Sequence, residues 1–277
     1  MIFFILFWLL LIGGAVGSFL NVVIYRLPAG LSLLSPPSHC PKCTHPIRPR
    51  DNVPVFGWFL LCGKCRDCQA PISIRYPFVE GLCTLLFVTV GYAVLVNRPI
   101  DELEQSLGRI VCDLLLLTTL LVAGMIDYDG KKVPVELFVP AFFGALIALA
   151  ISWNNAIIPS FDFVGLLLFL LLLFALFPAI PLRLPQNSVP GLIAVVIISL
   201  YLGWKFTWGI LLYLLLFWIA HCCFRIRFLP MLHLFLLVWV IIVGMNLRID
   251  PIQQTVFIPT GFSNMLSNAL HYLHPQF

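Results

Sequence analysis

The chain has 277 residues, of which 61% are hydrophobic and 10% charged, and its 16 basic and 12 acidic residues give a net charge of +4. A soluble domain averages roughly 45–50% apolar and about 25% charged residues, so this composition excludes a soluble globule along with disordered, collagen-like and coiled-coil chains. The charge excess is too small for a nucleic-acid surface, and at about 20 apolar residues per crossing of a ~30 Å hydrocarbon core the length accommodates several membrane-spanning helices.

The first apolar run, 1–25, lacks a basic leader and a small-residue cleavage site and leads straight into Arg26, so it predicts a retained transmembrane helix. Its Gly14-x-x-Gly17 spacing is that of a helix-packing face. Residues 26–76 form the one sizeable polar segment, where Pro36, Pro37, Pro41, Pro46, Pro49 and Pro54 break any long helix. Further apolar runs at 77–97, 109–126, 134–153, 161–182, 189–204, 206–223 and 229–247 predict a polytopic membrane domain over 77–247. The sixth and seventh of these are separated only by a tight turn near Lys205, which leaves seven or eight crossings in all. The tail, 248–277, carries a mildly amphipathic stretch around Phe262 and Leu273 that suits a membrane surface. The expected fold is an all-α polytopic membrane protein of about eight helices, without an internal repeat of 20–50 residues.

With the amino terminus outside, 12 of the 16 basic residues fall on inner segments, among them Arg26, Lys42, Arg48, Arg50, Lys64, Arg66, Arg75, Lys131 and Lys132. Arg98, Arg109, Lys205 and Arg248 remain for the outer face beside Asp101, Glu102 and Glu104. This bias predicts a cytoplasmic 26–76 segment.

Within that segment, Cys40-Pro-Lys-Cys43 and Cys65-Arg-Asp-Cys68 are separated by 21 residues. The spacing is close to that of zinc ribbons, in which two turns each present two thiolates to one tetrahedral ion, and a short domain with few large apolar side chains gains stability from such a metal. The alternative is four reduced surface thiols. Cys62 is a competing ligand that the regular two-residue spacing disfavours, and His39 and His45 are read as exposed loop residues. A closed set of four thiolates leaves no position for water, so the metal would be structural and the chemistry must lie elsewhere.

Gly14-Ala-Val-Gly17-Ser18-Phe-Leu-Asn21, Arg26-Leu-Pro28, the two cysteine pairs and Pro71-Ile-Ser73-Ile-Arg75-Tyr76-Pro77-Phe-Val-Glu80 together resemble the amino-terminal half of the type IV prepilin leader peptidases with N-methyltransferase activity. The resemblance runs in order across 10–85. It implies a multi-pass protein of the bacterial inner membrane that cleaves the leader of prepilins or pseudopilins as an aspartic protease and methylates the new amino terminus with S-adenosylmethionine.

The same family places one catalytic aspartate in a pattern like Ile-Asp-x-Asp-x4-Pro-Asp. Here Ile126-Asp127-Tyr128-Asp129-Gly130-Lys131-Lys132-Val133-Pro134-Val135-Glu136 resembles it, with Asp127 in the catalytic position and Val135 in place of the closing aspartate. The second aspartate belongs to a Gly-x-Gly-Asp-x-Lys pattern ahead of Leu-Gly-Trp. Counting back from Leu202-Gly203-Trp204 places it on 188–193, where Gly191, 64 residues after Asp127, occupies the position and neither the aspartate nor the lysine is present. The implied peptidase-like core, about 105–215, therefore has an incomplete dyad. Two carboxyl groups sharing a proton divide the work of aspartic proteolysis, so rescue requires Glu136 or Asp129 to approach Asp127. Glu80 is expected to pair with Arg75 or Arg26, and Asp113 to hydrogen-bond between helices. No Gly-rich fingerprint marks an S-adenosylmethionine pocket.

Two function classes follow. In one the protein is an enzyme that retains cleavage through a replacement acid, or methylation alone. In the other it is a pseudo-peptidase, a scaffold or partner in pilus or type II secretion biogenesis that binds pilin-like segments without cutting them. A transporter would need paired interrupted helices, and the sequence has none.

Overall fold

The computed structural model describes residues 2–96, 103–154, 188–202 and 230–247. Its helices are α1 (Ile2–Arg26), the short α2 (Phe56–Leu60), α3 (Arg75–Val96), α4 (Leu103–Tyr128), α5 (Val139–Asn154), α6 (Ser188–Leu202) and α7 (Pro230–Leu247). Three stretches, Ile2–Ala29, Arg75–Val96 and Leu103–Tyr128, are long and apolar enough to cross a membrane, and Val135–Ala148, Pro190–Leu202 and Met231–Leu247 are shorter apolar helices. The expected runs at 161–182 and 206–223, the Lys205 turn and the 248–277 tail lie outside the described residues.

The layout follows from where small residues permit close approach. α1 packs along α3, burying Gly13, Gly14 and Gly17. A Cβ at Gly17 would stand 2.8 Å from the Glu80 Cα, and one at Gly13 would stand 2.9 Å from the Thr84 Cα, so larger side chains would force the two backbones apart. The glycine spacing thus serves packing, as expected. α4 is the central helix: Leu116, Leu117, Leu120, Leu121, Ala123 and Ile126 are essentially inaccessible, and it contacts α3, α5 and α7. A hydrogen bond from Trp239 Nε1 to Thr89 Oγ1 at 3.1 Å adds a polar tie between α7 and α3.

α4 begins six residues ahead of the expected boundary, because Glu104, Ser106 and Gly108 interrupt the apolar run without ending the helix. Arg109, expected at the very start of this run, thus has helix on both sides. It lies inside α4, 3.4 Å from Asp113 one turn on, with its guanidinium 5.5 Å from the Tyr201 ring centroid. Tyr201 of α6 donates a hydrogen bond to the fully buried Asp113 carboxylate, which joins two helices as expected.

Candidate functional site

The cysteine pairs are built by two copies of one turn. In the first, the Cys40 amide donates to His45 O, the Thr44 amide to Cys40 O and the Ile47 amide to Ser38 O. In the second, Cys65 donates to Ala70 O, Gln69 to Cys65 O and Ile72 to Gly63 O, every donor and acceptor 25 residues later. Thr44 and Gln69 both take positive φ, 61° and 57°, and isolated bridges join His39 to Pro46 and Lys64 to Pro71. The expectation of no internal repeat is corrected here: Cys-x-x-Cys-x-x-Pro-Ile recurs at an offset of 25 residues. The unit is too short to show as a solenoid-type period, and aligning the prolines with the cysteines is the signal that finds it.

The four sulfurs of Cys40, Cys43, Cys65 and Cys68 lie within 4.8 Å of one another. Cys40 and Cys68 sulfurs are 3.7 Å apart and those of Cys43 and Cys65 are 4.0 Å apart. An ion bound tetrahedrally at ~2.3 Å from each sulfur would separate them by about 3.8 Å, so the set fits a metal ion as it stands. Cys62 is exposed and outside the cluster, while His39 turns its Nδ1 to Pro37 O at 2.9 Å. Among the described residues no β-strand is present, so each pair sits on a knuckle with one bridge.

The cluster is electrostatically primed. Hydrogen bonds from the Cys43 and Lys42 amides pull the Cys40 thiol down to about 6. At Cys43 the His45 amide acts in the same direction, yet burial and the neighbouring sulfurs push the thiol up to about 12. Four thiols held this close cannot all ionise without a cation. Around the cluster Arg66 grips Asp51 through Nε at 2.8 Å and Nη2 at 2.6 Å, a bidentate pair that holds the Asp51 carboxyl below its ordinary range.

Asp127 ends α4, with one carboxylate oxygen buried from solvent. The helix closes on Gly130 at φ +70°, with the Gly130 amide on Asp127 O and the Lys131 amide on Ile126 O, a left-handed cap that any other residue would strain. Asp129 is taken up by Arg75 at the start of α3: the Arg75 Nη1 is 2.8 Å from each Asp129 oxygen. Lys131 lies over the Tyr25 ring at 5.3 Å. Glu136 is exposed on the 3-10 turn Val135–Phe138, against which α6 packs. At Gly191 on α6 there is no carboxylate, and among the described residues a Cβ there would meet only the Met231 Cε at 3.7 Å.

The expected pairing of Glu80 is corrected as well. Arg26 gives its guanidinium to the carbonyls of Ser32 and Pro36, and Arg75 is held by Asp129. Glu80 instead accepts the Val55 amide at 2.6 Å. Sequence spacing cannot show this, because the partner is a backbone group 25 residues away.

A cavity of about 540 Å³ lies between α1 and the 33–52 loop, with Ser18, Phe19, Arg26, Pro36 and Asn52 in its wall. Among the described residues no acid lines it to bind the ribose hydroxyls of a nucleoside, and Arg26, the cation that does, is already committed to backbone carbonyls. Its residues therefore do not fit S-adenosylmethionine.

Residues 11–94 match the family model described as Bacterial Peptidase A24 N-terminal domain. The chain is 40% identical over 146 residues to a prepilin leader peptidase/N-methyltransferase of Klebsiella pneumoniae, covering 50% of this chain and 60% of that protein. It is 39% identical over 157 residues to that of Aeromonas hydrophila, covering 48% of this chain and 50% of the relative. To that of Myxococcus xanthus it is 38% identical over 146 residues, 52% of this chain and 39% of the relative. The chain spans about half the length of the curated relatives it matches. No solved structure matches it.

Proposed function

We propose that this chain, whose amino-terminal half carries the sequence of the prepilin leader peptidase/N-methyltransferase family, binds the amino-terminal segment of pilin or pseudopilin precursors at the cytoplasmic face of the bacterial inner membrane without cleaving it. The second clause is supported by Gly191, which stands where the resemblance puts the partner of Asp127, and by the contact of Asp129, the nearest acid in sequence, with Arg75. Both Asp129 oxygens face the Arg75 Nη1 at 2.8 Å, so this carboxylate is already engaged outside any dyad with Asp127. Glu136, the other candidate replacement, is exposed on its turn.

The basic residues concentrated in the inner segments support the orientation. The four thiolates would hold zinc, which suits a closed sulfur set and fixes the two knuckles to each other. S-adenosylmethionine would supply the methyl group if methyl transfer is retained, held elsewhere than in the cavity beside α1, and the match of residues 11–94 to the family model supports retention.

The test follows the two activities separately. The purified full chain in proteoliposomes is given a prepilin, and a pre-cleaved pilin with S-adenosylmethionine, beside an Asp127→Ala variant. The expected result is binding of both substrates, no leader cleavage by either protein, and methyl transfer that Asp127→Ala leaves in place. Cleavage that Asp127→Ala abolishes would overturn the proposal.

A further inference from the structure

Residues 53–61, Val-Pro-Val-Phe-Gly-Trp-Phe-Leu-Leu, are an apolar stretch inside the otherwise polar segment, which corrects the reading of that segment as poor in large apolar side chains. Ten or so apolar residues are too few to span a bilayer and suit an interfacial or re-entrant element. The stretch also lies deep. A Cβ built on Gly14 would stand 3.2 Å from the Pro54 Cβ and 3.4 Å from the Thr84 Oγ1. Gly14 precedes Arg26 by 12 residues on α1 and Thr84 follows Arg75 by nine on α3. At 1.5 Å per residue, Pro54 is therefore roughly 13–18 Å along the helices from the basic residues that mark their polar ends.

At this point the chain reverses. Val55 has φ 65° and ψ −56°, and the Phe56 amide donates to Pro54 O at 2.7 Å, which together make a γ-turn of the rare, strained hand on a β-branched residue. Non-helical backbone at membrane depth is tolerated only where its polar groups are satisfied by protein. That condition is met: Pro54 has no amide hydrogen, the Val55 amide is taken by Glu80, the Phe56 amide by Pro54 O and the Gly57 amide by Val53 O. Glu80 is thus the acceptor that a re-entrant turn requires.

Beyond the turn, α2 divides into two faces. Trp58 points inward, its indole Nε1 donating to Ile72 O at 3.0 Å and its ring against Gly63. Phe56, Phe59 and Leu60, at helical spacing on the other face, are 66%, 61% and 72% exposed. Phe78 of α3, two residues before Glu80, is likewise 60% exposed.

We propose that residues 53–61 are a re-entrant element, and that Phe56, Phe59 and Leu60 lie among the acyl chains of the leaflet that α1 and α3 enter. The inference concerns membrane depth and holds whatever the chemistry of the Asp127 region.

The experiment uses the unsubstituted full chain in phosphatidylcholine liposomes containing a lipid with a diazirine on its acyl chain. After photolysis, peptides are mapped for lipid adducts. Residues 53–61 are expected to label like 82–96 of α3, and the knuckle peptide 38–47 at least about tenfold less, the ratio given by ~1.4 kcal/mol of partitioning. Glu80→Ala is expected to lower the 53–61 yield and Glu80→Gln, which keeps a carbonyl acceptor, to retain it. Labelling of 53–61 no higher than that of 38–47 overturns the proposal. So does full displacement of the 53–61 label by an added apolar pilin-segment peptide, which would make the face a peptide-docking site.

Discussion

The amino-terminal region, α1 to α3 with its knuckles, and the region from α4 onward differ in how completely their chemistry is provided. In the first, each element has its counterpart: four sulfurs face one point, Glu80 meets the Val55 amide, and glycines open the α1–α3 contact. In the second the scaffold is equally well packed around α4, yet on the proposed reading the position assigned to the partner of Asp127 holds Gly191. Packing and chemistry are therefore separable in this fold. A membrane helix keeps its place by apolar and small-residue contacts, so on the proposed reading a carboxylate can be absent while its helix persists.

The largest expected effect sharpens the first side. Structural zinc contributes an apparent ~10–16 kcal/mol in zinc-finger peptides, so Cys40→Ser combined with Cys65→Ser is expected to remove bound metal and expose 38–72 to proteolysis while α4 stays protected. Metal analysis and limited proteolysis of the protein in detergent check this. Because the metal-free Cys43 thiol is held up at about 12, binding must release protons, and metal content should fall as the pH is lowered. Retained metal in the double variant would remove the cluster from the account.

The next effect tests whether the second region lacks only its acid. A Cβ at Gly191 meets one methyl group at 3.7 Å, an ordinary contact, so an aspartate can be accommodated there. Since general acid–base catalysis is worth about 10²–10⁴ in rate, Gly191→Asp is expected to raise leader cleavage by that order, and Gly191→Asn, similar in shape, to leave it unchanged. Equal rates for the two variants would show that more than a carboxylate is missing.

Much of this division was legible in the sequence, and what was not had specific causes. The spacing of Cys40, Cys43, Cys65 and Cys68 gives the ligand set, because two turns and one ion leave little freedom. Expected runs at 77–97 and 229–247 fall within two residues of α3 and α7, since apolar length is a one-dimensional property. The start of α4 reads six residues late from sequence because polar residues at helix ends look like loop. Glu80, Arg75 and the 53–61 turn escaped because their partners are set by how α1, α3 and α4 stack. The glycine at 191 is plain in the sequence, whereas the engagement of Asp129 by Arg75 is visible only in three dimensions.

That ion pair also crosses between the two regions, and it carries the smallest expected effect. Arg75 opens α3 and Asp129 closes α4, and their side chains are 32% and 17% exposed, so solvent screens the pair in part. Pairs of this kind are worth up to about 1 kcal/mol, and a double-mutant cycle isolates that term from the cost of either truncation. Arg75→Gln and Asp129→Asn are each expected to lower the melting temperature of the detergent-solubilised chain, and the double variant to melt about 1–3 °C above the sum of the two losses. Added salt should shrink that coupling, because both partners reach water. A coupling of zero would mean that apolar packing alone ties the complete region to the incomplete one. Asp129 would then be available near Asp127, and the second carboxylate would have to be sought there.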